Sequence, residues 1–227
     1  MKNIDAIWKI IALDWRASPL FSRIFCFIMS PLIFVAGYFM SQLLVLPFAM
    51  WFAIATGLMP FQNEEKGALN NLFLTLPVTR KQIVAARYVN VLLWMLFYMA
   101  LGLVAMPIVR HFSTSQWYIG FAGNLALAAV SLLLFAGFIL AMFTFLFKYG
   151  YHKGKTLGIY VPSGIFMALI IFVYRLMHII TFNFMFEFIL FATENMLLVS
   201  GGIIALSAGI LYISYCLSLR SFAKLDV

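Results

Sequence analysis

Long apolar stretches, separated by short polar ones, organise this chain. Six of them are near the roughly 20 residues that a helix needs to cross a hydrocarbon core about 30 Å thick. Their approximate bounds are 21–40, 43–60, 89–109, 121–147, 159–179 and 199–219, and the basic segment 148–158 between the fourth and fifth is expected to be a loop. The pattern therefore predicts an all-α integral membrane protein, with six transmembrane helices in a single transmembrane domain over residues 1–227.

The first 18 residues have a different pattern. Apolar side chains recur there at the spacing of one helical face, while Asp5, Lys9 and Asp14 fall off that face. The apolar positions are Ile4, Ile7, Trp8, Ile11 and Trp15. The spacing predicts a helix over residues 1–18 that lies in the plane of the membrane interface, anchored by Trp8 and Trp15.

A polar segment, residues 61–86, interrupts the apolar sequence between the second and third spans. Asn63 is suited to cap a helix, with Glu64 and Glu65 in its first turn, where carboxylates are favoured by the exposed N–H groups. This amphipathic helix is expected to run as far as Pro77, because proline breaks a helix interior.

A second helix is predicted to begin at once after Pro77. Thr79 and Gln82 fit the capping box S/T-x-x-E/Q, and Val78 and Ile83 occupy the two positions of a hydrophobic staple. Two abutting capped helices predict an element on which a partner docks. The alternative is that the segment is only a well-capped surface loop.

Composition and charge support a membrane protein and fix its orientation. The chain is 65% hydrophobic and 10% charged, with a mean hydropathy of +1.05 and a net charge of +8. Placing both termini in the cytoplasm puts every one of the 15 basic residues inside except Arg110 and Arg175. Residues 61–86 are then cytoplasmic, and the positive charge needs no nucleic acid to explain it.

Residues 178–196, between the fifth and sixth spans, are too apolar for a free loop and too short for two more spans. The segment is predicted to enter the outer leaflet as a re-entrant or interfacial hairpin. Glu187 and Glu194 are placed to pair with Arg175 there. Alternatively, all three charged side chains face headgroups and water.

No catalytic, cofactor-binding or metal-binding residue is expected in this chain, which is therefore not an enzyme by itself. GYHKGKT, beginning at Gly150, has only three residues between its glycines, one fewer than a nucleotide-binding loop needs, and it follows a span instead of a strand. His111, His152 and His178 are too scattered along the chain to form one metal site.

The sequence TLPVTRKQIVAARY, preceded by the acidic pair and leading into the third of six spans, resembles permease subunits of type-2 ABC transporters. It is especially similar to the short bacterial permeases grouped with the phenol-soluble modulin exporter. The resemblance implies a coupling helix that docks on a separate ABC ATPase subunit, which holds ATP and Mg²⁺. Its start would be Asn63, Glu64, Glu65 and Lys66, and its exit Leu76, Pro77, Val78, Thr79 and Arg80.

The function expected on these grounds is that of a permease in the bacterial cell membrane. It would export amphipathic or hydrophobic cargo, such as a peptide, toxin, antimicrobial or lipid-like molecule. Two permeases, identical copies or a pair of paralogues, would face each other with one ATPase each. The alternative is a membrane immunity or sensor protein that binds a hydrophobic peptide without transporting it.

Overall fold

The computed structural model describes residues 3–18, 24, 28, 31–33, 35, 42–65, 78–112, 121–179 and 193–223. Its helices are, in chain order, α1 (Asn3–Ala17), α2 (Gln42–Gly57), α3 (Met59–Glu65), α4 (Arg80–Phe112), α5 (Phe121–Ile179) and α6 (Met196–Ala223). Within the described residues the regular secondary structure is entirely helical, as the sequence predicts.

Four stretches in the described part of the chain are long and apolar enough to cross a membrane. They are Val45–Gln62, Arg80–Ile108, Ala122–Tyr151 and Met196–Phe222. These coincide with the second, third, fourth and sixth predicted spans. The first predicted span lies mostly outside the described residues, and α5 continues as helical backbone through the fifth as far as Ile179. The total of six spans remains a prediction.

The basic segment 148–158, expected as a loop, is instead a tight helical hairpin. Helical structure continues on both sides of Gly150, whose backbone (φ 76°, ψ 178°) reverses the chain. A Cβ added to Gly154 would meet the backbone of Leu146, and one added to Gly158 would meet Met142. The two parts of α5 therefore run back along each other. Glycines at every fourth position let the two backbones touch, so that one residue suffices as the connection.

Helices α2 and α4 also pack closely and in opposite directions. A Cβ at Gly57 would lie 2.5 Å from Val91 Cγ2, and one at Gly102 would lie 2.8 Å from Leu46 Cδ2. The core continues from this pair onto the first part of α5, where Phe143 is buried. It is built from apolar side chains and from small residues that allow close approach.

Helix α6 packs mainly against α5 and also touches α4. Its fully buried polar residues are all serines, at Ser200, Ser207, Ser214 and Ser218. The hydroxyls of Ser200 and Ser207 donate to the carbonyls four residues earlier, which satisfies them inside the helix. The other face carries large exposed apolar side chains, including Tyr212 at 68% exposure. Such a face suits contact with lipid.

Candidate functional site

The structure describes both ends of the predicted coupling region, residues 61–65 and 78–86. At its beginning, Asn63, Glu64 and Glu65 lie on the helical backbone of α3, which starts at Met59. The prediction that Asn63 caps a new helix is therefore wrong, because a cap residue stands before the first helical residue. Pro60 accounts for the earlier start, since proline is favoured in a first turn, where its missing N–H costs nothing.

Three of the predicted coupling residues lie outside the described residues: Lys66, Leu76 and Pro77. The next described residue is Val78. From there the capping box is confirmed. The backbone N–H of Thr79 donates to Gln82 Oε1 at 2.9 Å, and the Gln82 N–H donates to Thr79 Oγ1 at 3.4 Å. Val78 packs in one hydrophobic cluster with Ile83, as a staple requires. The predicted exit of the coupling region thus forms the capped start of α4.

Arg80, the last of the predicted coupling residues, connects two helices of this chain. It is the first residue of α4, and its Nη1 donates to the carbonyl oxygen of Phe222, near the end of α6, at 3.4 Å. Its guanidinium carbon also lies 6.0 Å from the centre of the Phe222 ring. The side chain is exposed, so this contact leaves part of it accessible to a partner.

Side chains at the start of the predicted coupling region and just after its end meet side chains of α5. We call this set the aromatic junction: Phe61, Arg87, Tyr88, Phe143 and Phe147. Phe61 of α3 packs edge to face on Phe143 and Phe147 of α5, with ring centroids 5.3 and 5.1 Å apart. The Arg87 guanidinium carbon, from α4, lies 4.2 Å from the Phe61 centroid and 6.0 Å from that of Phe147. Three helices therefore meet at one arginine.

Burial makes the Arg87 contacts strong. The side chain is only 1% exposed, and cation–π pairs gain about 2 kcal/mol or more when they are removed from water. A delocalised guanidinium that stacks on a ring is also less costly to dehydrate than an ammonium group. Arg87 consequently holds Phe61, the first residue of the predicted coupling region, against α4.

Tyr88 extends the aromatic junction to α6. Its hydroxyl lies 2.5 Å from Ser214 Oγ and 2.8 Å from Ser218 Oγ, close enough to donate one hydrogen bond and accept another. Its ring meets Phe143 at 5.0 Å and Tyr215 at 5.5 Å, both edge to face. Tyr88 therefore joins α4 to α5 and α6, one residue after Arg87.

Helix α1 packs against the beginning of α4, where Ile10 shares a buried cluster with Ile83 and Ala86. The buried face of α1 is Ala6, Ile10 and Asp14, which differs from the predicted apolar stripe. The difference arises because Ile10 packs with Ile83 and Ala86 of α4, so that Ile7 and Ile11 of the predicted stripe are only partly buried at the edge of this cluster.

The two predicted tryptophan anchors have different environments. Trp8 is 51% exposed, whereas Trp15 is partly buried, with its ring centroid 5.7 Å from that of Trp94 in α4. Exposure of Trp8 suits an anchor in the membrane interface, and that role remains a prediction. Trp15 in addition binds α1 to α4.

The predicted outer segment is described only at its edges. Arg175 lies on the helical backbone of α5, and Glu194 is exposed just before α6. Glu187 lies outside the described residues. The re-entrant hairpin and the pairing of these charges remain predictions.

Sequence reasoning missed Arg87 and Tyr88 as a site. The sequence did carry a signal, because phenylalanines at 143 and 147 share one helical face and an arginine stands near a span boundary. Nothing in the pattern, however, indicates that this face meets Phe61. Among the described residues, no group of three or more His, Cys, Asp or Glu side chains is placed to hold a metal ion.

Comparison with known proteins gives a family match. The family model described as ABC-2 family transporter protein matches residues 16–223. No curated protein and no solved structure matches the chain. The matched range covers α2 to α6 and the whole aromatic junction.

Proposed function

Because the chain belongs to the ABC-2 family of transporter proteins, we propose that it is the permease subunit of an ATP-driven exporter. Permeases of this family generally pair with ABC ATPases, and ATP is used by that separate subunit. The match over residues 16–223 is the observation that carries the proposal. The similarity to the phenol-soluble modulin exporter is part of what we propose.

In this proposal the ATPase docks on residues 61–86, and its movement reaches the spans through the aromatic junction. Interlocked rings transmit a rigid-body displacement better than a loop does, because packed side chains resist compression. A movement of α3 carries Phe61, and Phe61 contacts Arg87 of α4 and Phe147 of α5 directly. The motor would thereby act on two spans at once.

The cargo is proposed to be amphipathic or hydrophobic. Support comes from the exposed surfaces of the described spans, which carry mostly leucine, isoleucine, valine and aromatic side chains, for example Leu96 and Val104 on α4. Such surfaces contact lipid tails or apolar cargo without the dehydration cost that a charged wall would impose.

The assembly we propose contains two permeases and two ATPases in the bacterial cell membrane. The permease has six spans, its termini and residues 61–86 lie in the cytoplasm, and residues 178–196 form a hairpin in the outer leaflet. The large exposed apolar face of α6 supports burial against lipid or a second permease. Native mass spectrometry that gave only a complex of one permease with one ATPase would contradict this assembly.

The main test is reconstitution. The purified chain should copurify with the ABC ATPase encoded beside it, and inside-out vesicles holding both should accumulate an amphipathic peptide only with ATP. Vesicles that bind the peptide equally with and without ATP, with no accumulation, would favour an immunity or sensor protein. Failure to copurify would contradict the permease assignment.

A second test addresses the docking surface. Replacing both Glu64 and Glu65 by lysine should leave insertion intact, because added positive charge on a cytoplasmic segment reinforces the orientation. Complex formation with the ATPase should fall, since charge reversal at an interface costs several kcal/mol. Asp5→Lys, an exposed change on α1, is the matched control. Normal assembly and cargo-stimulated ATP turnover in the double variant would mean that the motor docks elsewhere.

A third test addresses the aromatic junction. Arg87→Met replaces the charged side chain by an apolar one of similar length. A buried charge can be replaced in this way without loss of stability, so the protein should still fold. The ATPase should bind normally, while transport per ATP hydrolysed should fall because Phe61 loses its hold on α4. Arg220→Met, at an exposed position near the end of α6 and outside residues 61–86, is the control. Unchanged transport in the Arg87 variant would exclude the junction from coupling.

A further inference from the structure

A cavity of about 450 Å³ lies between α1, the junction of α2 with α3, and the first part of α4. It is separate from the aromatic junction, whose residues do not line it. Trp8, Leu93 and Phe97 line the cavity and are exposed, so it opens at the surface. Its volume is within the range of small-molecule sites, roughly 300–1,000 Å³.

Aromatic rings form much of the cavity wall. Trp8 and Trp15 come from α1, and Trp94 and Phe97 from α4. Trp94 is held from two sides, with its ring centroid 5.7 Å from those of both Trp15 and Phe97. Tryptophan faces carry the strongest negative quadrupole among the side chains and attract cations, above all quaternary ammonium groups.

Four polar side chains of the described residues also line the cavity, and two of them, Ser18 and Thr56, donate to backbone carbonyls four residues earlier. Asp14 is the one charged residue among the described residues that line the cavity, and it is 4% exposed. Asn90, one helical turn before Trp94, also lines it. Asp14 thus brings a carboxylate to the wall of this cavity, in a chain whose net charge is +8.

We propose that this cavity binds an amphipathic cation, with its ammonium head between the tryptophans and beside Asp14. The alkyl tail leaves through the mouth, over Leu93 and Phe97, toward the lipid. An anionic head would be repelled by the carboxylate, and a sugar head would have to bury most of its hydroxyls against a wall that is mostly apolar. Binding at this site does not depend on whether the ligand is transported.

The probe is octyltrimethylammonium carrying a diazirine on its alkyl chain, added to the full chain in dodecyl maltoside micelles. Light-induced labelling should saturate and should map to peptides of α1 and α4. Unlabelled octyltrimethylammonium should compete, whereas octyl glucoside and octyl sulfate at equal concentration should not. Equal competition by octyl glucoside would mean a site for alkyl tails alone, and labelling away from both helices would also overturn the proposal.

Asp14→Asn removes the charge without changing the shape of the side chain. It should weaken competition by octyltrimethylammonium roughly tenfold, the loss expected for one charge-assisted contact. Asp5→Asn, on the exposed face of the same helix, should leave competition unchanged. Equal affinity in both variants would overturn the proposal. Should the Asp14 variant fail to fold, Trp15→Leu provides the test, because it keeps apolar volume but removes a π face and should also weaken competition.

Discussion

The helical hairpin in α5 makes the sharpest stability prediction. Gly154→Ala places a methyl group 2.7 Å from Leu146 Cα, 2.8 Å from the carbonyl oxygen of Phe145 and 2.9 Å from the Leu146 nitrogen. All three are backbone atoms, so a change of rotamer cannot relieve the contact. The two parts of α5 must separate there.

The size of the effect follows from these distances. Non-bonded carbon atoms prefer a separation of about 3.5–4.0 Å, so the hairpin must open by about 1 Å at this point. Overpacking of this kind costs about 1–3 kcal/mol. Alanine in a helix is favoured over glycine by about 0.5–1 kcal/mol, which offsets part of the cost.

Gly137→Ala isolates the overpacking cost. Gly137 lies in the same helix, and a Cβ there meets nothing within 4 Å. Both variants gain the same helix propensity, so the difference between their free energies of unfolding should equal the steric cost, about 1–3 kcal/mol. Unfolding in dodecyl maltoside micelles with increasing dodecyl sulfate, followed by circular dichroism, measures that difference.

The reasoning fails if the Gly154 and Gly137 variants are equally stable. That result would mean that the two backbones are not in contact at Gly154. A Cβ at Gly158 also approaches Met142 Cα to 2.9 Å, so Gly158→Ala should be destabilised as well. If only the Gly154 variant is destabilised, the two backbones are in contact near the turn only.

Three further predictions use the same unfolding assay. Gly57→Ala should cost about 1–3 kcal/mol, because its Cβ would lie 2.5 Å from a methyl of the stiff side chain of Val91; no loss would refute the close α2–α4 packing. Tyr88→Phe should cost about 0.6–1.5 kcal/mol through its lost interhelical hydrogen bonds, whereas Tyr212→Phe, on the exposed face of α6, should cost nothing measurable. Gln82→Ala should cost about 0.5–1 kcal/mol, since it removes one arm of the capping box, and a neutral result would show that this cap is dispensable.

Local signals in the sequence predicted local structure well. The capping box at Thr79 and Gln82 and the staple of Val78 and Ile83 formed as expected, because each involves residues only a few positions apart. The four described candidate spans were also predicted, because a long apolar helix is the way for one segment to satisfy its backbone in lipid. The family resemblance read from the same residues agrees with the ABC-2 match.

The sequence was less reliable where two signals competed. Asn63 fits a helix cap, yet α3 already begins at Met59, because Pro60 also suits a first turn and the apolar residues around it pack against α5. Likewise, the lysines of 148–158 indicated a loop, whereas the glycines among them formed a one-residue reversal at Gly150.

Only the tertiary structure decided which helix faces pack against each other. The sequence by itself determined that this is a helical membrane protein, since apolar length suffices for that, and its local motif resembles permeases of a family that generally pairs with ABC ATPases. It did not determine that Arg87 would lie on Phe61, or that Asp14 would line an aromatic cavity with Trp94. Such contacts join residues far apart in the chain, and they depend on helix rotation and spacing, which small residues such as Gly57 set by allowing close packing.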